Sequence, residues 1–165
     1  MLKLTGLLLL LCACAAAGFF EAYKLRMRVE FLESFLRFVT ACQAEIQCCA
    51  IPVRRLIARH KDDGKTWALC HAFCEQGEPF HQAWKNAVLQ GSKGQGVSKK
   101  DVQLLLDFGD TLGESETESQ LSHCALTIRL VEEQLSAARA ERAQKAKLYS
   151  MLGMFGGAAF VLVLL

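Results

Sequence analysis

Eight cysteines stand among 165 residues, and cysteine has the widest chemical reach of any residue type in this chain. The densest group is Cys70, His71 and Cys74. Positions four apart share one face of a helix, so Cys70 and Cys74 would project two thiols one turn apart. His60 or His81 could then complete a tetrahedral zinc site, although the spacing is not the C-x2-C knuckle of most such sites. Trp67 and Phe73 border the same region with apolar surface, and reduced cysteine packs into apolar surface as a small filler. Filler is the better reading, and no metal or other cofactor is expected. Cys48 and Cys49 are adjacent and poorly placed to bridge each other, while Cys12 and Cys14 fall in a charge-free run.

Other routes to chemistry are missing from the string. There is no G-x-x-x-x-G-K-[ST] phosphate loop, no G-x-S-x-G elbow and no H-E-x-x-H pair. The acids of "DFGDTLGESETE", Asp107 to Glu118, lack the glycine and the final glutamate spacing of a calcium loop. "DFG" stands without any other kinase signature. The expectation is a protein without enzyme activity and without a small-molecule substrate. The net charge of +2 is weak and dispersed, which argues against nucleic acid as a partner.

The elements that position these residues read as all-α, with no stretch patterned as a strand. Leu25, Val29, Leu32, Leu36, Val39 and Ile46 recur at steps of three and four, with Gln43 as the polar interruption. No proline or glycine interrupts the chain from Phe19 to Ala50, so one rod is expected to run until Pro52 stops it. Shorter helices follow over about 53–60, 65–76 and 80–89. The glycine-rich "QGSKGQG" is a flexible connection. Ser98 with Asp101, and Ser115 with Glu118, form two S-x-x-[DE] helix starts. Leu121, Cys124, Ile128, Val131, Leu135 and Ala138 then keep heptad spacing along a second rod. Two long rods should pack antiparallel, with the short helices folded over their far end.

Both rods lead into charge-free runs. Leu4–Phe20 and Leu148–Leu165 supply 17 and 18 residues, against about 20 needed to cross about 30 Å of hydrocarbon. Lys24, Arg26 and Arg28 follow the first run, and Arg139, Arg142, Lys145 and Lys147 precede the second, so positive charge flanks both on the same side. The division expected is a transmembrane helix at 4–20, a cytoplasmic helical domain at 21–147 and a second transmembrane helix at 148–165. Gly153 and Gly157 form a G-x-x-x-G suited to close packing of membrane helices. The competing expectation is an exported thiol-rich lipoprotein or redox protein, with a signal peptide cut after Ala17 or a lipid on Cys14.

Four segments carry a resemblance: "MLKLTGLLLLLCACAAAGF", "QAEIQCCAIPV", "FGDTLGESETESQ" and "KLYSMLGMFGGAAFVLVLL". In order and spacing they resemble the stage III sporulation protein AB family of endospore-forming bacteria, over essentially the entire length. The chain departs from that family's pattern at Cys48 and Cys49, and at Glu116 in a shifted acidic run. The resemblance implies a membrane scaffold of the mother-cell transport apparatus that faces the forespore, with its central domain in the cytoplasm. It also implies partners among the sporulation complex proteins, including a cytoplasmic assembly ATPase. The residues expected to touch a partner are Phe108, Asp110, Glu114, Glu116 and Gln120, at the end away from the membrane. The rival assignment gives Gly109 and Gly113 to a tight interhelical turn, and Phe108 and Leu112 to the core.

Overall fold

A computed structural model describes the backbone of residues 2–49, 52–112 and 117–164. Side-chain surroundings are described for residues 13, 16–48, 52–112, 117–145, 147, 148 and 151. Among the described residues the protein is all-helical. The order is α1 (Leu2–Cys49), α2 (Val53–His60), a 3-10 turn (Lys61–Asp63), α3 (Lys65–Glu75), α4 (Phe80–Gly91), α5 (Lys99–Thr111) and α6 (Thr117–Leu164).

Breaks fall where backbone chemistry demands them. Pro52 and Pro79 occupy the N-cap positions of α2 and α4, and Gly64 that of α3. Ser98 caps α5 through a full capping box: its hydroxyl accepts from the Asp101 N–H, and the Asp101 carboxylate accepts from the Ser98 N–H at 2.7 Å. The corresponding box at Ser115 lies outside the described residues.

The two 48-residue helices, α1 and α6, form the frame. Val29 and Leu32 pack with Leu135 and Ala138, Arg28 meets Glu141 at 2.9 Å, and Glu33 meets Arg139 at 2.8 Å. Ascending numbers on α1 therefore meet descending numbers on α6.

Against this frame, α1 buries more than one stripe. Phe35, Phe38 and Cys42 are fully buried alongside Leu32 and Val39, whereas Leu25 and Leu36 are only half-buried. Helix α1 is covered by α6 on one side and by the short helices on another, so residues beyond a single heptad seam go inside. The short helices close over it with aromatic rings. Phe38 stacks on Trp67 of α3 with centroids 4.4 Å apart, Trp67 on Trp84 of α4 at 5.6 Å, and Trp84 meets Phe108 of α5 at 5.8 Å. Both indole N–H groups are satisfied, Trp84 donating to the Leu105 carbonyl at 2.7 Å and Trp67 to the Ser34 hydroxyl at 3.2 Å.

The short helices are not confined to the far end of the rods. The glycine-rich connection between α4 and α5 folds back so that Gly96 lies against the Lys24 carbonyl, where an added Cβ would come within 2.3 Å. Asp101, at the start of α5, pairs with Arg28. The layer therefore runs along the frame toward the charge-free ends. Long-range contacts of this kind leave no periodic trace in the string.

Among the described residues no helix is long and apolar enough to cross a membrane. The expected spans, 4–20 and 148–165, belong to α1 and α6 but fall largely on residues whose side chains are outside the description. The same holds for the surroundings of Gly153 and Gly157.

Candidate partner-binding site

The residues expected to meet a partner separate into different environments. Phe108 is 0% exposed, and its ring touches Phe35, Phe38 and Trp84 and stacks on His123 at 5.8 Å. It is an interior residue and offers no contact surface, so the expectation of partner contact at Phe108 is corrected to core packing. Leu112 is buried as well. Gly109 does not form a turn: it sits inside α5, where an added Cβ would lie 2.0 Å from Trp84 Cδ1. Its missing side chain lets the indole lie directly on the α5 backbone and reach the Leu105 carbonyl.

Asp110 is exposed one residue beyond Gly109. Asp107, three positions earlier and also exposed, accepts from Gln103 Nε2 at 2.7 Å. Glu118 is exposed in the first turn of α6, and Gln120 is half-buried two residues on. Glu114 and Glu116 lie outside the described residues. His123 adds a buried side to this end. Burial pushes its imidazole below the usual histidine range, with the Asp107 charge opposing the shift, and its Nε2 is buried with no hydrogen-bond partner. The sequence reading missed Asp107, although its i, i+3 spacing to Asp110 was a usable signal. Nothing local marked His123. Exposed carboxylates around a closed aromatic core can attract a basic partner surface.

The cysteine group resolves as filler. Cys70 and Cys74 are buried and hydrogen-bonded to each other, and Cys42 and Cys124 are buried between α1 and α6. Burial pushes all four thiols up, Cys124 to about 11. Such thiols, held protonated, are weak nucleophiles. Among the described residues, no group of three or more His, Cys, Asp or Glu side chains is arranged to hold a metal ion. Cys12, Cys14 and Cys49 are outside the side-chain description.

A second cluster went unforeseen at the other end of the body. Arg28 donates from Nε to Asp101 Oδ2 at 2.8 Å, from Nη2 to Asp101 Oδ1 at 3.1 Å and from Nη1 to Glu141 Oε2 at 2.9 Å. One guanidinium thus ties α1, α5 and α6. Burial alone would raise the Asp101 carboxyl, but Arg28 and the Ser98 donors hold it below its ordinary value. Hydrogen bonding to Asp101 raises Arg28 in turn.

Comparison with known proteins agrees with the full length of the chain. No solved structure matches. A curated relative, "Stage III sporulation protein AB" of Bacillus subtilis (strain 168), is 24% identical over 172 aligned positions that cover all of both chains. The family described as Stage III sporulation protein AB matches residues 3–165. With that match spanning nearly every residue, the chain belongs to the stage III sporulation protein AB family.

Proposed function

We propose that the protein is a non-catalytic scaffold, moored in a membrane by both ends of an antiparallel α1–α6 frame, within a mother-cell complex that serves the forespore. Its central domain, 21–147, faces the cytoplasm, and helices at 4–20 and 148–165 are the anchors. The observation that carries this reading is the distribution of exposed apolar side chains. Phe19, Phe20 and Tyr23 on α1, and Leu148 and Met151 on α6, are 45–64% exposed. The Arg28–Glu141 and Glu33–Arg139 pairings put these five at one shared end of the frame. Aromatic residues at that position suit a membrane–water interface, and the charge-free runs begin there. Among the described residues, the remaining large exposed apolar ones are Leu89, Leu126 and Leu130.

Asp110, exposed at the opposite end, and with it Glu114, Glu116 and Gln120 of the same stretch of sequence, are the residues offered to a partner, for which an assembly ATPase is the candidate. Coupling an ATPase to membrane components requires a rigid body and no chemistry of its own, which suits a core of stacked rings and inert thiols. Those thiols also weigh against the exported redox reading. The test is charge reversal, Asp110→Lys with Glu114→Lys and Glu116→Lys, in sporulating cells. Loss of copurification with the ATPase, at unchanged protein level, is expected. Unchanged copurification and spore yield would remove these acids from the interface.

A further inference from the structure

We infer that the connection between α4 and α5, residues 92–98, is a lipid-contacting loop that lays lysines on an anionic membrane surface. This rests on the anchored reading above and extends it from the two ends to a third, non-helical element. The carrying observation is the seat of Gly96 on the Lys24 carbonyl. Lys24 is four residues past Phe20, about 6 Å along a helix. The headgroup layer on each side of the hydrocarbon is itself about 5–7 Å thick. The loop therefore rests at headgroup depth, level with the exposed ring of Tyr23 and about one turn beyond those of Phe19 and Phe20.

The loop is built to be held there. Gly94 and Gly96 have φ of +79° and +66°, a backbone region that favours glycine. On one side Gly91 is seated tightly on Thr66, and on the other the Ser98–Asp101 box is pinned by Arg28. The loop and its junction with α5 carry only basic charge. Lys93 and Lys99 are exposed on the loop and its junction with α5, and Arg142 and Lys147 are exposed on α6. The acids nearby are engaged: Glu21 with Lys24 at 2.7 Å, Asp101 with Arg28, and Glu141 with Arg28 and Lys145. A lysine held near an anionic surface is worth a factor of about five in affinity. An acidic protein surface could meet the same lysines, but the adjacent apolar belt favours lipid.

The test is amide hydrogen exchange on the full-length chain in phosphatidylcholine nanodiscs with and without phosphatidylglycerol. Exchange over residues 92–98 is expected to be several-fold slower with the anionic lipid. Raised salt, or Lys93→Gln with Lys99→Gln, should abolish the difference. Equal exchange in both lipids overturns the inference and leaves the anchoring intact, as does protection that appears only when partner proteins are added. Recovery of the chain outside the discs, free of lipid, overturns the anchored reading, and this one falls with it.

Discussion

At the scale of single residues, two positions do work that their types do not announce. Gly109 lies within a helix, where glycine costs about 1 kcal/mol relative to alanine. The compensation is the Trp84 indole, which occupies the space of the absent Cβ and donates to the Leu105 carbonyl. Gly109→Ala should therefore destabilise the protein by about 1–3 kcal/mol despite its better helix propensity, because the indole must move off α5. Denaturant unfolding checks this, and a stabilised variant would mean the indole repacks freely. Asp101 is the second position. Its folded carboxyl titrates below the ordinary value of about 3.9. A depressed folded value stabilises the protein fully above the unfolded one, and that contribution disappears as pH falls through the folded one. Stability should drop below about pH 4, and Asp101→Asn should lose part of that dependence. At neutral pH the same substitution should cost about 3 kcal/mol, since Arg28 keeps Glu141 but loses its buried partner. Unfolding midpoints measured across pH 3–7 for both proteins provide the comparison.

At the scale of elements, the loop of residues 92–98 makes a controlled experiment out of two glycines. Gly94 and Gly96 both have positive φ, yet only Gly96 faces another backbone: an added Cβ meets the Lys24 carbonyl, whereas at Gly94 it meets open space. Gly94→Ala should cost about 1 kcal/mol of left-handed strain. Gly96→Ala should cost clearly more, by about a further 1–3 kcal/mol, because the loop must lift from α1. Equal losses in thermal or chemical unfolding would show that the seat on Lys24 carries no energy. This element also marks the limit of the sequence reading. Helix ends were legible because Pro52, Gly64, Pro79 and Ser98 act on their own neighbours. The α6 stripe was legible because its buried apolar residues, Cys124, Val131, Leu135 and Ala138, keep heptad spacing. Phe35 and Phe38 were missed because α1 is covered on two sides, which a one-stripe pattern does not encode. Arg28 and Asp101 are 73 positions apart, and charge alone does not say which of many partners each will find. Of the candidate site, Asp110 is exposed, whereas Phe108 is buried, and of the two assignments the sequence left open for it the core one holds.

At the scale of the whole molecule, the core and the apolar ends are separate. Every buried hydrophobic side chain among the described residues lies between Val29 and Ala138. The ring stack uses α1, α3, α4, α5 and α6 within that range, and the Arg28 cluster closes it at the lower boundary. Among the described residues, the side chains of Phe19, Phe20, Leu148 and Met151 lie outside this core and are exposed. Nearly all the burial that offsets chain entropy therefore belongs to the central body. A chain reduced to residues 21–147 should consequently be helical, remain in solution without detergent and unfold in one cooperative transition. Its midpoint should match that of the full chain in detergent micelles to within a few degrees, because the buried side chains of the described core all lie between Val29 and Ala138. Circular dichroism melting of both proteins decides the matter. A shortened chain that is unfolded, or that aggregates until detergent is supplied, would show that the terminal runs are part of the body's own packing rather than its moorings.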